Sequence, residues 1–549
     1  MNLSNSPCPM PNAQCPMPNS PCPMPHFPFP IPYSLIMNIA HHVERGYRLY
    51  PNKTAIVYED QSYTYKQLDR LVNCTANALR ELGVGKGDRV ALYLPNIPEF
   101  AIAYLGILKI GAIAVSLNVM LKSPEVSYIL NDCAAKAIVT TELGRSQVVD
   151  ADLPHLKHIL VAEGMVDGGL DFADLIANAS PIARAVEMEW NSPASIVYTS
   201  GTTGFPKGAT LSHGNIISNI SAHNRCCGMN KNDRLLLYVP LFHCFGQNAI
   251  FNAGLNVGAT IILQRRFDLE RVLENVDKYK VTMFFGVPTV FIRLINQDIS
   301  KYNFSSLRYY FSAAAPMPVE IAQMWQEKYK KVIHEGYGLT EASPCASYNH
   351  NFKYKFGSIG VPIQNVEMKI VDTNGYQVSP GELGEIVIKG PNVMLGYWNR
   401  PQETQEIIRN GWLRSGDIGR MDEEGFFYIA DRLKDMINVS GFKVYPTEVE
   451  NVLYKHYGVA EVAIYGVPDS IKGEIVKANI VVKNGHTITE QEIIEFCSRQ
   501  IASYKIPQAI NFVNNLPKNP TGKVMKRFLR EAELAVTSNR NVSLLAQPR

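Results

Sequence analysis

Residues 198 to 208 read Tyr-Thr-Ser-Gly-Thr-Thr-Gly-Phe-Pro-Lys-Gly. Such a stretch can hold a polyphosphate. Gly201 and Gly204 leave backbone N–H groups open to phosphate oxygens, and the hydroxyls of Thr199, Ser200, Thr202 and Thr203 add donors. Lys207 adds a positive charge beside the rigid Pro206. The spacing Gly-x-x-x-x-Gly-Lys-[Ser/Thr] is absent, so the loop differs in kind from that of P-loop ATPases. Three further segments carry groups that would complete a nucleotide site. Glu335-Gly336-Tyr337-Gly338-Leu339-Thr340-Glu341 offers a flat aromatic to stack a purine, permissive backbone, and a carboxylate, Glu341, to hold Mg²⁺ against phosphates. Leu413-Arg414-Ser415-Gly416-Asp417 sets an exposed-looking Asp beside a glycine, suited to two ribose hydroxyls. Pro517-Lys518-Asn519-Pro520-Thr521-Gly522-Lys523 is a rigid turn that presents a lysine.

The elements that position these groups follow an alternating rhythm. Runs at 89–94, 112–117, 137–140, 158–161, 195–199, 235–239, 260–263 and 282–285 read as buried strands, and 98–110 as a helix. This predicts parallel sheets with covering helices, and the phosphate loop lies at the end of one such strand, where open α/β sheets bind ligands. Strands at 385–389 and 426–430 sit in a Gly-rich, less helical region. The composition changes at the charged stretch Asp431-Arg432-Leu433-Lys434-Asp435. Beyond it, helices at 446–453 and 490–500 and strands at 459–467 and 478–482 make a small α+β domain. The expected organisation is a 1–36 tail, a large 37–430 region, a small 431–535 domain carrying Lys523, and a flexible 536–549 tail.

Taken together, these segments resemble the adenylate-forming superfamily of acyl-CoA synthetases, peptide-synthetase adenylation domains and beetle luciferases. The resemblance runs from about Met37 to Arg530 and includes Pro240-Leu241-Phe242-His243-Cys244-Phe245-Gly246, Arg432 and Lys523 in order. It implies a large α/β region of stacked, mostly parallel sheets with a small β-rich subdomain, followed by the mobile domain. It also implies roles. Thr199 to Lys207 would grip the β- and γ-phosphates, and Thr202 and Glu341 would position Mg²⁺. Adenine would lie between Tyr337 and Ala313-Ala314-Ala315, flanked by Glu335, Gly336, Gly338 and Thr340. Asp417 and Arg432 would hold the ribose. His243, Phe245, Ala313 and Gly336 would border the acyl pocket. Lys434 matches the hinge and Lys523 the lysine that drives adenylation, while Arg266, Ser440 and Gly441 match positions that meet CoA.

The implied reaction joins a carboxylic acid to a thiol through an acyl-adenylate, with ATP, Mg²⁺ and CoA. The segment 242–247 lacks the Asp that pairs an α-ammonium, which disfavours an amino acid, and Asn438 and Ser440 stand where plant coumarate ligases carry lysine. The segments 242–247 and 439–446 look most like bacterial fatty-acid–CoA ligases, and the small residues at 313–315 and 336 would leave room for a long apolar chain. A loader of a carrier-protein phosphopantetheine and an aryl-CoA ligase stay open as alternatives.

Bulk properties narrow the field. The 549 residues carry a net charge of +3, so no strong nucleic-acid field is implied. The ten cysteines form no Cys-x-x-Cys pairs, and a reduced cytoplasmic protein is expected. The apolar run 101–121 is broken by Gly106, Lys109, Gly111 and Asn118 and reads as a helix then a strand, not a membrane span. Peripheral lipid contact and a homodimer stay open. Cys-Pro-Met-Pro recurs at Cys8, Cys15 and Cys22, in a segment whose prolines forbid helix. Met37, with a helical pattern beginning at once, reads as the functional start.

Overall fold

The structure, a computed structural model, describes residues 37–533 except 149–152, 165–168, 200–205, 351, 434, 470 and 521. Both expected tails, 1–36 and 536–549, lie outside the described residues. Among these residues the chain forms two large sheets, an antiparallel subdomain sheet and a small C-terminal sheet.

The first large sheet has nine strands. Its centre is parallel, built by Thr54–Tyr58, Thr260–Leu263, Arg234–Leu237, Met283–Gly286, Tyr309–Ser312 and His334–Gly338. Antiparallel strands, among them Cys345–Tyr348, close its edges. The second has eight strands, parallel from Pro193–Thr199 through Ile113–Ser116, Arg89–Tyr93, Ala137–Thr140 and His158–Val161. Strands buried on both faces read as continuous apolar runs, which is why these segments are visible in the sequence. The Pro98–Lys109 helix fills the space between layers and is buried along nearly its whole length. Its buried Lys109 is held by Glu44 at 2.9 Å and Asp69 at 3.2 Å, the pairing that a charge inside a core requires.

A five-stranded antiparallel sheet holds Glu367–Val371, Gly384–Lys389, Trp412–Met421 and Phe427–Arg432. Because Asp431 and Arg432 pair into this sheet, the large part of the molecule extends through Arg432, two residues past the expected boundary. The remaining small sheet pairs Ile437–Val439, Phe442–Val444, Val459–Asp469, Gly473–Val482 and Ala509–Phe512. The Pro446–Tyr454 and Glu490–Ser498 helices cover it, and it has its own apolar core around Val449, Leu453, Ile464, Ile480 and Ile493.

Candidate active site

The phosphate loop is the tip of a hairpin. The strand Pro193–Thr199 returns antiparallel as Lys207–Ser212, with Thr199 opposite Lys207. The sequence places the loop at a strand end; the second strand then fixes Lys207 from the other side. Thr199 Oγ1 donates to the Lys207 carbonyl at 3.4 Å. Ser200, Gly201, Thr202, Thr203 and Gly204 lie outside the described residues. Lys207 Nζ stands 5.5 Å from the centre of the Tyr397 ring, and Tyr397 donates its hydroxyl to Glu341 Oε1 at 2.8 Å. The two charges expected to meet the phosphates and metal are therefore joined through Tyr397, whose strand Gly396–Tyr397 pairs with Lys207–Ser212. Nothing in residue spacing signals Tyr397; strand register brings it in.

Tyr337 and Asp417 come together across two sheets. Tyr337 donates its hydroxyl to Asp417 Oδ2 at 2.6 Å, and Arg432 Nε lies 3.0 Å from Asp417 Oδ1. Asp417 and Arg432 are cross-strand partners. Asp417 is 4% exposed, contrary to its exposed-looking sequence context. A buried carboxylate survives because both oxygens have a donor and one donor is cationic. Burial, then the negative charge of Asp417, holds the Tyr337 phenol well above its ordinary pKa, so it stays a donor. The Ala313-Ala314-Ala315 segment leaves the Tyr309–Ser312 strand with Ala314 at φ +70°, a left-handed conformation that an alanine adopts only under local constraint. Glu335 is buried, and its Oε1 has no partner among the described residues. Burial pushes its carboxyl up to about 8, so it is protonated at neutral pH. Gly338 lies against the Pro344 carbonyl, 1.9 Å from where a Cβ would stand, so no side chain fits there.

His243 lies two residues before a π-helix over Phe245–Asn252. A backbone with this wider turn is uncommon and concentrates at functional sites. His243 Nδ1 accepts from the Phe245 N–H at 3.2 Å, which fixes the ring against its own loop. Gly246 is required because a Cβ would stand 2.4 Å from the Pro240 carbonyl oxygen. The Cys244 thiol bonds to Thr340, which ties this loop to the Tyr337 segment. Beside Gly336 the Phe311 ring takes the space, with its Cζ 2.3 Å from where a Cβ on Gly336 would stand, and the Phe245 ring lies 6.0 Å from that ring. Ala313 is only partly buried beside them.

Lys523 reaches this site from the small domain. Asn519 turns the chain: its N–H donates to the Lys523 carbonyl at 2.9 Å, and its Oδ1 accepts from the Lys523 N–H at 2.8 Å. At the tip, the Gly522 carbonyl accepts from Thr289 Oγ1 of the large domain at 3.3 Å. His243 is held down at about 4, first by burial and then by the positive charge of Lys523, so the imidazole is neutral. A cavity of about 200 Å³ lies behind the tip, lined by Tyr238, Pro240, Phe267, Val287, Arg293 and Lys518. Ser440 and Gly441 form an exposed hairpin turn, at φ 51° and 90°, in the small domain. They share no described hydrogen bond or ion pair with this group, and neither does the exposed Arg266. Lys434 lies outside the described residues.

A family model described as AMP-binding enzyme matches residues 43–398, and the AMP-binding enzyme C-terminal domain matches 448–523. The chain belongs to the AMP-binding enzymes. Within that family it is 37% identical to a long-chain-fatty-acid–CoA ligase of Bacillus subtilis (strain 168), covering 88% of this chain and 92% of the relative. It is 36% identical to a feruloyl-CoA synthase of Amycolatopsis sp., covering 88% and 96%. Among solved structures, an anthranilate CoA ligase in complex with anthranoyl-AMP superimposes with a TM-score of 0.87 at 32% identity, covering 92% of this chain and 98% of that one. MatB from Rhodopseudomonas palustris, 30% identical over 90% of this chain and 99% of that one, gives a TM-score of 0.84 when ATP-bound and 0.75 as the apo protein. As an AMP-binding enzyme of this kind, the chain is an acid–thiol ligase that works through an adenylate, with ATP, CoA and a carboxylic acid as substrates. No helix among its described residues is long and apolar enough to cross a membrane.

Proposed function

We propose that the chain activates a medium- or long-chain fatty acid and transfers it to CoA. The observation that carries this is the convergence of Lys523, His243, Lys207 and Glu341 with the Tyr337–Asp417–Arg432 triad. In the first half-reaction a carboxylate oxygen attacks the α-phosphorus of ATP, the bond to the bridging oxygen of the β-phosphate breaks, and pyrophosphate leaves. Both reactants are anionic, so the charges of Lys207 and Lys523 offset their repulsion and stabilise the charge that develops. Neutral His243 borders the acid without adding charge. Asp417 and Arg432 fix the ribose and so aim the α-phosphate. Glu341, with Thr202, would hold Mg²⁺. When bound, Mg²⁺ would neutralise phosphate charge. In the second half-reaction a thiol attacks the acyl carbonyl carbon and AMP leaves; Ser440, Gly441 and Arg266 are proposed to meet the CoA arm once Lys523 has withdrawn about a hinge at Lys434.

An aryl acid is the second reading. It is favoured by Phe311 filling the space beside Gly336, which shortens the pocket, and by the feruloyl and anthranilate ligases among the relatives. Pyrophosphate release with a panel of fatty and aryl acids separates the two, and a preference for amino acids overturns both. Comparing CoA with a holo-carrier protein as acceptor tests the thiol. Lys523→Ala should abolish adenylate formation yet largely spare thioester formation from supplied acyl-adenylate. Equal loss of both half-reactions would sink the two-arrangement account.

A further inference from the structure

The Pro446–Tyr454 helix bridges the small domain and the large one. The Pro446–Tyr454 helix has no side-chain cap of its own at its N-terminus. The large domain supplies one: Asp431, at the end of the Phe427–Arg432 strand, accepts the Thr447 N–H at 2.8 Å on Oδ2 and the Arg432 N–H at 2.7 Å on Oδ1. Asp431 is 5% exposed, so this is a dry contact. At the other end, Tyr454 packs against both hydrophobic cores, and Lys455, just past the helix, lies 3.6 Å from Glu320 of the large domain. The second oxygen of Glu320 is buried without a hydrogen-bond partner among the described residues, which leaves Lys455 as the described cation it faces. A carboxylate at the helix N-terminus and a cation at its C-terminus both suit the helix dipole.

The helix is in turn locked to the catalytic lysine. Its Glu450 accepts the Ile464 N–H at 2.8 Å and pairs with Lys526 at 2.8 Å, three residues from Lys523. Lys526 also feels the charge of Asp431. On the opposite side Lys518 pairs with Glu461 of the Val459–Asp469 strand at 2.6 Å. Fixing the helix therefore fixes the turn that carries Lys523.

We infer that Asp431 and Glu320 are positioning residues for Lys523, two large-domain carboxylates that grip opposite ends of one helix and set the fraction of molecules arranged for adenylation. This rests on the two-step reading above. Neither residue touches the reacting atoms. Their effect is on one half-reaction: adenylation needs the grip and thioester formation needs its release.

The test measures both half-reactions on the full chain, as pyrophosphate release without thiol and as thioester formation from supplied acyl-adenylate. Glu320→Lys is expected to slow the first about five-fold, the scale of a half-exposed ion pair lost and reversed, and to leave the second unchanged or faster. Adding Lys455→Glu to it should restore the first. Asp431→Asn should slow the first about ten-fold while sparing the second. A parallel fall in both half-reactions, or no recovery in the charge-swapped double variant, overturns the inference. Lys523→Ala run alongside distinguishes the failures: if it does not separate the half-reactions, the two-step reading falls, and this inference with it.

Discussion

Glu335 offers a test of how the adenine-side motif is built. Its buried carboxyl rises from an ordinary 4.5 to about 8. The folded protein therefore binds a proton that the unfolded chain releases near pH 4.5. Stability from this group is fully present below pH 4.5 and is lost as pH rises through 8. Between pH 5.5 and 8 the loss works out at about 3 kcal/mol, taking 1.36 kcal/mol per pH unit and allowing for half-titration at the upper end. Glu335→Gln keeps the shape and removes the titration. Urea unfolding of both proteins across pH 5.5 to 8 should show the variant gaining on the parent by roughly that amount as pH rises. Parallel profiles would refute the reasoning, because they would mean that the carboxyl is solvated or paired when ionised.

Three further outcomes follow from the geometry. Arg432→Leu leaves Asp417 buried without its cation and should cost about 3 kcal/mol in unfolding free energy, with weakened ATP binding by calorimetry; Arg432→Lys should recover part of both. Gly246→Ala drives a methyl group into the Pro240 carbonyl and displaces the His243 loop, so pyrophosphate release should fall about a hundredfold with the far-ultraviolet spectrum intact. Phe311→Ala should open the space beside Gly336 at a cost of about 3–5 kcal/mol and raise kcat/KM for bulkier acids relative to shorter ones; an unchanged ratio would show that Phe311 does not bound the pocket.

Much of this was legible in the residues. The parallel strands announce themselves as short apolar runs because both of their faces are covered, and the Pro98–Lys109 helix and the Ile113–Ser116 strand divide the 101–121 run as its glycines suggest. The motif residues named from their types converge, apart from those outside the described residues and Ser440, Gly441 and Arg266. What the sequence hides depends on long-range pairing. Asp417 looks exposed because Tyr337, which covers it, is 80 residues away. Tyr397 is unremarkable until strand register sets it between Lys207 and Glu341. A small residue at 336 reads as space, yet the ring of Phe311 claims that space. The π-helix over Phe245–Asn252 has no distinct period in an apolar stretch of this length.

The separate core of the small domain has a consequence for switching. Apolar burial is the largest stabilising quantity in a fold, and here it is sealed on each side of the junction, with Tyr454 shared between the two cores. What crosses the junction includes one helix-end hydrogen bond, one ion pair and the tip at Gly522. Bonds of this kind are each worth about 1 kcal/mol, so the two arrangements proposed for the half-reactions would lie close in energy. If the proposed alternation holds, such a molecule would need no large driving force: arrival of one anionic substrate, or departure of one anionic product, would be enough to tip it.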